Sequence, residues 1–477
     1  MKQLLSLFCC LLITVSVAAQ TGHIKILSVN DMHASIDQMP KLKALADSLR
    51  GVEPNLIILS AGDNRTGNPH NDTYPETSLP MTMLMNKVGF NASAIGNHEF
   101  DSKTDGLRNV INKSNFPYLC ANAFFDDTLR MHVYPYKIME RNGVKIGIVG
   151  GVQINSGGIP DSHPDVLKGI TFRHIDDVLP SYEWLRKQVD VLLLLSHDGY
   201  EVDTMTAKKF PYYDAIIGGH SHVIADNEFY NGVLVNQAGN KLKYANITDI
   251  FVKDGKVVRK FSKLFNLTSY SKEDAETKEM LAGFKNNPYL KEKLTEVISP
   301  FQTAEELGIM ETDALREELG VDVAIQNGGG VRYSTFPAGD FTVGDLLALD
   351  PFGNSAVVYE LTGKELEDFI MNNLDVDEKQ PVFVSGCTYV MKVRKGATKE
   401  TTHPVSIKIT MDKGKFNPKA KYKVVTNSYA ASVSTSAKAD KGTTLVDKCS
   451  DITMRWLRRQ PSLNYTGKTC KKIEYVK

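Results

Sequence analysis

Along this chain, five short runs of Val, Ile, Leu and Ala each give way to a tight cluster of acidic, amide or imidazole side chains. The run His23 to Val29 leads into Asp31-Met32-His33, Leu56 to Leu59 into Gly62-Asp63-Asn64, and Ala92 to Ile95 into Gly96-Asn97-His98-Glu99. Val191 to Leu195 leads into Ser196-His197-Asp198, and Ala215 to Ile217 into Gly218-Gly219-His220-Ser221-His222. Short continuous apolar runs predict strands buried on both faces of a covered sheet. In an α/β architecture of that kind the carboxyl ends of the strands share one rim, so all five clusters are expected to meet there.

Later elements are equally legible. Asn246 to Val252 and Lys256 to Leu264 predict a hairpin about Asp254-Gly255, after which the charged stretch Ser271 to Leu294 predicts a helical linker. A helix is expected over Ala304 to Leu319 and a strand over Val321 to Ile325, ending in Asn327-Gly328-Gly329-Gly330-Val331-Arg332. The expected division is a first domain over 20–267, a helical linker over 268–298 and a second α/β domain over 299–477. No internal repeat or low-complexity tract interrupts it.

The polar clusters carry the donors of a two-metal site. Two divalent cations about 3.5–4 Å apart need a bridging carboxylate, with imidazole, amide or carboxylate ligands at the remaining positions. Asp63 is the natural bridge, with Asp31, His33 and His222 completing one ion and Asn97, His197 and His220 the other. Cations so placed lower the pKa of water towards about 7, so no protein nucleophile is required. The donors are oxygen and nitrogen, and ligand type alone does not choose among Zn, Mn, Co, Fe and Mg. His98 has Asp101 three residues on, a pairing expected to act as a catalytic dyad: the imidazole serves the departing oxygen and the carboxylate fixes its tautomer. In the second domain, the glycines around Gly329 let backbone amides approach a ligand, and Arg332 can bind phosphate bidentately.

Composition narrows the setting. The 477 residues suit two domains, and 56 basic against 56 acidic side chains give no basic excess, which disfavours a nucleic acid polymer as partner. Lys2, the apolar stretch Leu4 to Val17 and the small residues Ala18-Ala19 read as a signal peptide over 1–19, cut before Gln20. Neither a later spanning segment nor a lipid-anchor signal is visible, so an exported protein without a stable membrane anchor is expected. The sequon Asn64-Arg65-Thr66 beside Asp63 favours a bacterial periplasm over a eukaryotic secretory route. Of the four cysteines beyond the signal, Cys449 and Cys470 are candidates for a disulfide, whereas Cys120 reads as a buried small residue.

The blocks Asp31-Met32-His33, Gly62-Asp63, Gly96-Asn97-His98-Glu99-Phe100-Asp101, His197 and Gly219-His220-Ser221-His222 resemble those of the secreted 5′-nucleotidase family. Asn122 and Asn236-Gln237-Ala238-Gly239 also match that family. The resemblance implies a four-layer αββα metallophosphoesterase sandwich followed by a smaller α/β 5′-nucleotidase C-terminal domain. It also implies hydrolysis of a small phosphoester, foremost a nucleoside 5′-monophosphate. Alternatives are UDP-sugar or dinucleotide pyrophosphatase, 2′,3′-cyclic phosphodiesterase with 3′-nucleotidase activity, and a nucleotide- or metal-binding protein without catalysis. Pro351-Phe352-Gly353-Asn354 and Val384-Ser385-Gly386 extend the likeness into the second domain. By that likeness Asn327 and Arg332 contact substrate and Phe352 stacks on the base. Two departures stand out. The stretch Phe301-Gln302-Thr303-Ala304-Glu305-Glu306 lacks the family's arginine, and Asn427-Ser428-Tyr429 runs into Ala430-Ala431-Ser432 instead of the glycine-rich segment that carries a second base-stacking aromatic.

Overall fold

The computed structural model describes residues 21–155, 157–376, 380–396 and 402–476. The expected signal peptide lies outside the described residues.

Two sheets pack face to face in the first half. One has the strand order Lys256–Asn266, Tyr244–Lys253, Thr21–Val29, Ile57–Ser60, Ala92–Ala94, Tyr118–Leu119 and Val133–Tyr134. The other runs Ile224–Tyr230, Val233–Ala238, Ala215–Ile217, Val191–His197, Val144–Val152 and Tyr136–Arg141. Alternation within each strand decides which layer it feeds. Ile24 and Ile26 join Ile57, Leu59, Leu193 and Leu195 in the core between the sheets, whereas Leu27, Val29 and Ile58 face the helices Met39–Arg50, Leu79–Val88 and Lys103–Lys113. Leu192 and Leu194 face the opposite way, toward Ala207 of the helix Tyr200–Lys209. Helix, sheet, sheet, helix is the four-layer arrangement expected, and full burial on both faces explains why the strands read as continuous apolar runs.

The second half holds a five-stranded sheet in the order Phe383–Ser385, Val323–Gln326, Lys421–Asn427, Ser355–Thr362 and Thr443–Lys448. A three-stranded sheet, His403–Met411, Cys387–Arg394 and Lys471–Val476, packs beside it. The helix Ala304–Leu319 starts where the Thr303 side chain accepts a hydrogen bond from the Glu306 amide, and stops at Gly320, whose φ of 59° suits a left-handed cap.

The segment expected to be a helical linker is only partly helical. Ala275–Phe284 is a helix, and it packs on the first half: Leu281 joins that half's core and the Asp274 amide donates to the Pro40 carbonyl. Lys293–Val297 is instead a strand, antiparallel to Gly339–Thr342 of the second half. Charge at Lys293 and Glu296 conceals its alternation, since both point outward while Leu294 and Val297 are buried. The cysteine pairing is also corrected. All four described cysteines are free and buried, with Cys449 in one apolar cluster beside Leu315 and Cys470 in another beside Cys387 and Tyr389.

Candidate active site

The carboxyl ends of the strands do converge. Asp31 and His33 follow Val29, Asp63 follows Ser60, Asn97 follows Ala94, His197 ends its strand, and His220 and His222 follow Ile217. Turning back this sharply places Asp31, His33, Asp63, His220 and His222 at φ of 46°, 44°, 52°, 76° and 57°, the left-handed region that side chains enter at a cost. Backbone bonds hold them there. The Asp31 amide donates to the Gly62 carbonyl at 3.0 Å, and the His33 amide to the Asp63 carbonyl at 3.0 Å. Gly96 is required by contact, because a Cβ there would lie 2.2 Å from Asp63 Oδ1.

The side chains form two adjoining sets. His33 Nε2 lies 3.0 Å from His222 Nε2, which is 3.4 Å from Asp31 Oδ1. His197 Nε2 lies 3.1 Å from Asp63 Oδ2 and 3.2 Å from Asn97 Oδ1, and His220 Nδ1 lies 3.1 Å from the same amide oxygen. Asp31, His33 and His222 could hold a cation, as could Asp31, Asp63 and His197, and so could His33, Asp63 and His98. The second set tests this most sharply. His197 Nδ1 must donate to the Ala61 carbonyl, 2.6 Å away, so a neutral ring turns the lone pair of Nε2 toward two further acceptors. A positive charge at that point satisfies all three inward-facing acceptors at once. With a proton alone in that role, His197 is pushed up to about 10, against its burial, by Asp63 and Asp31. Burial works against the charge of Asp63, but His197 and His98 overcome it and hold its carboxyl well below the usual range. The donor set therefore fits divalent cations.

His98 and Asp101 meet as expected. They lie on a 3-10 turn, Asn97–Ser102, whose three-residue period eclipses positions i and i+3, and His98 Nδ1 is 2.9 Å from Asp101 Oδ2. The His98 amide donates to Asp63 Oδ1 at 2.9 Å. Burial opposes a charge on this imidazole, yet Asp63 and Asp101 raise its pKa above the ordinary value.

The second half supplies the opposite wall of a cavity of about 580 Å³ lined by Asp63, Asn97, His98, Asp101, His220 and His222 on one side. Asn327, Gly329, Arg332 and Phe352 line the other side. Asp31, His33 and His197 are buried behind the wall. Arg332 Nη2 lies 3.3 Å from His33 Nε2, its guanidinium carbon is 5.7 Å from the centre of the Phe352 ring, and Nη1 donates to the Gly329 carbonyl at 3.4 Å. Asn327 is fixed by Asn427, whose Nδ2 donates to Asn327 Oδ1 at 2.7 Å.

Four further residues here escape sequence reasoning. Glu99 is buried and accepts from the amides of Asp63 at 2.9 Å, Asn64 at 2.8 Å and Gly96 at 2.6 Å, tying two ligand loops together. Its place three residues after Gly96 is the capping-box position and is the signal that could have found it. Asp161 Oδ2 lies 3.8 Å from His220 Nε2, the face of that ring away from Asn97. Lys241 lines the cavity, and burial, then Arg332 and Lys243, lower its pKa to about 8. Tyr429 lines the same cavity as Phe352, so an aromatic is present on that wall although the glycine-rich segment is absent.

Residues 24–224 match the calcineurin-like phosphoesterase family, and residues 294–439 match the 5′-nucleotidase C-terminal domain. The chain belongs to the 5′-nucleotidase family. It is a metallophosphoesterase of the hydrolase class, with an α/β sandwich joined to a 5′-nucleotidase C-terminal domain. Among curated relatives, 5′-nucleotidase of Vibrio cholerae is 28% identical over 74% of this chain and 76% of the relative. Endonuclease YhcR of Bacillus subtilis is 27% identical over 86% of this chain, which spans only 37% of that protein. The crystal structure of a 5′-nucleotidase precursor from Thermus thermophilus has the same fold, with a TM-score of 0.83 at 22% identity, covering 95% of this chain and 99% of that one. No helix among the described residues is long and apolar enough to cross a membrane.

Proposed function

We propose that this 5′-nucleotidase-family protein is an exported dimetal phosphohydrolase whose principal substrates are nucleoside 5′-monophosphates. The observation that carries the reading is the His197, Asp63 and Asn97 cluster, three acceptors turned inward on one point, set beside the His98/Asp101 pair at the foot of the cavity. Asp63 would be shared by two cations, one of which Asp31, His33 and His222 would hold and the other Asn97, His197 and His220. Bound there, divalent cations supply Lewis-acid charge to the phosphoryl group and lower the pKa of water.

The chain's own residues do the rest. Asp101 holds the proton on His98 Nδ1, which leaves Nε2 to hold a proton for the departing oxygen, and the raised pKa of His98 favours the charged form that task needs. Arg332 faces His33 and places a permanent charge over the phosphate position. Phe352 and Tyr429 offer aromatic surface to a base, and Asn327, anchored by Asn427, offers its amide to the sugar or base.

Hydrolysis of p-nitrophenyl phosphate and of its bis-ester, with and without chelator, separates monoesterase, diesterase and inactive protein. Rates on AMP, UDP-glucose and a 2′,3′-cyclic nucleotide then identify the substrate. The highest kcat/KM on AMP, abolished by chelator, is expected; a preference for UDP-glucose or the cyclic nucleotide makes the protein a pyrophosphatase or cyclic phosphodiesterase, and no metal-dependent turnover removes the enzymatic reading.

A further inference from the structure

Two cations on the first half's side of the cavity wall, Lys241 and Lys243, have no part in the chemistry described above, and Lys243 is exposed to solvent. Lys241 lies just past the strand Val233–Ala238, and its backbone is fixed by a hydrogen bond that its amide donates to the Asp31 carbonyl at 2.8 Å and by a φ of 52°. Its Nζ lies 3.4 Å from the Arg332 carbonyl and 5.8 Å from the centre of the Tyr333 ring, at the seam between the two halves. Among the described residues no carboxylate pairs with it, and its charged neighbours are Arg332 and Lys243. A half-buried ammonium beside other cations is costly, and an anion entering the cavity removes that cost. Arg332 is the one Lys or Arg that the described residues of the second half contribute to this wall.

We propose that Lys241 is a phosphate-binding residue, meeting from the first half the same anionic group that Arg332 meets from the second, and that this pair favours dianionic phosphomonoesters over monoanionic diesters. The inference rests on the phosphohydrolase reading and adds to it a determinant of substrate class. The two cations are complementary: Arg332 presents a planar fork and Lys241 a compact point charge, so one phosphate can be held from two directions. Because the contact bridges the halves, it also couples phosphate binding to their approach.

The test titrates inorganic phosphate calorimetrically into the metal-loaded wild type, Lys241→Met and Lys241→Arg, alongside kcat/KM for p-nitrophenyl phosphate and its bis-ester. Lys241→Met is expected to bind phosphate about 10- to 100-fold more weakly, in line with loss of a charge-assisted hydrogen bond. It should lose at least ten times more monoester than diester activity, and Lys241→Arg, which keeps the charge, should recover most of both. Wild-type phosphate affinity in the Met variant, or equal losses on the two esters, overturns the assignment while leaving the phosphohydrolase reading in place. A wild type that cleaves neither ester yet binds phosphate through Lys241 does the reverse.

Discussion

The ring of Phe352, carried by the second half of the chain, lies over the imidazole of His98 in the first half, with centroids 5.6 Å apart and planes 24° apart. On the proposed reading, recognition and proton transfer share this contact. On that reading a base stacked on Phe352 would place its phosphate toward His98 and Asp101, since the two halves stand close enough for these rings to meet.

Removing the ring separates recognition from chemistry. Base stacking on an aromatic side chain contributes about 1–3 kcal/mol, so Phe352→Ala should lower kcat/KM for AMP by roughly 5- to 150-fold. Turnover of p-nitrophenyl phosphate, which has no base to place, should change by no more than a few fold. Comparable losses on both substrates with a lower melting temperature would mean that the ring serves packing alone.

His98 donates its amide to Asp63 Oδ1, and its ring Nε2 stands 3.9 Å from Asp63 Oδ2 while Nδ1 is held by Asp101, so on the proposed reading a side-chain substitution removes the proton function and spares the metals. His98→Asn is expected to lose roughly 10²–10⁴-fold in kcat, the range of a positioned acid-base group, with metal content unchanged. Elemental analysis decides the matter: metal lost in step with activity would make His98 a ligand.

How far the sequence reached follows from where each signal sits. The ligand clusters were legible because each follows a strand buried on both faces, where an unbroken apolar run makes an abrupt polar cluster conspicuous. The hairpin at Asp254-Gly255 was legible for a local reason as well: its turn needs φ of 52° and 72°, which those residue types tolerate. Residues whose role depends on distant partners were not legible. Glu99 gains its meaning from the loop at Asp63 and Asn64, Asp161 from His220, and Lys241 from Arg332, none of them near in sequence. Lys293–Val297 was hidden for the same reason, since its partner strand begins at Gly339 and its own charges blur the alternation. Tyr429 stands in the sequence without a glycine-rich sequel, and only the fold brings it to the cavity of Phe352.

The second half also stores an electrostatic cost. Glu311 and Asp350 are both buried; burial raises each carboxyl, the charge of Asp350 raises Glu311 further, and Asp350 is held at about 6. A carboxyl whose folded pKa exceeds its unfolded value near 3.8 stabilises the fold most when protonated, and that stability is lost as pH rises from about 4 through 6. Asp350→Asn, which keeps an acceptor for the Phe352 amide, should therefore raise the melting temperature at pH 8 and change it little at pH 4. A variant less stable than wild type at pH 8 would show that the ionised carboxylate is needed.

The central claim is that Asp63 joins two cations. Elemental analysis of the purified wild type and of Asp63→Ala, paired with turnover of p-nitrophenyl phosphate, tests it directly. The account predicts about two divalent ions per wild-type chain, and in the variant a content well below two with no measurable turnover. Undiminished metal in Asp63→Ala, or a fully active wild type stripped of metal, would contradict it.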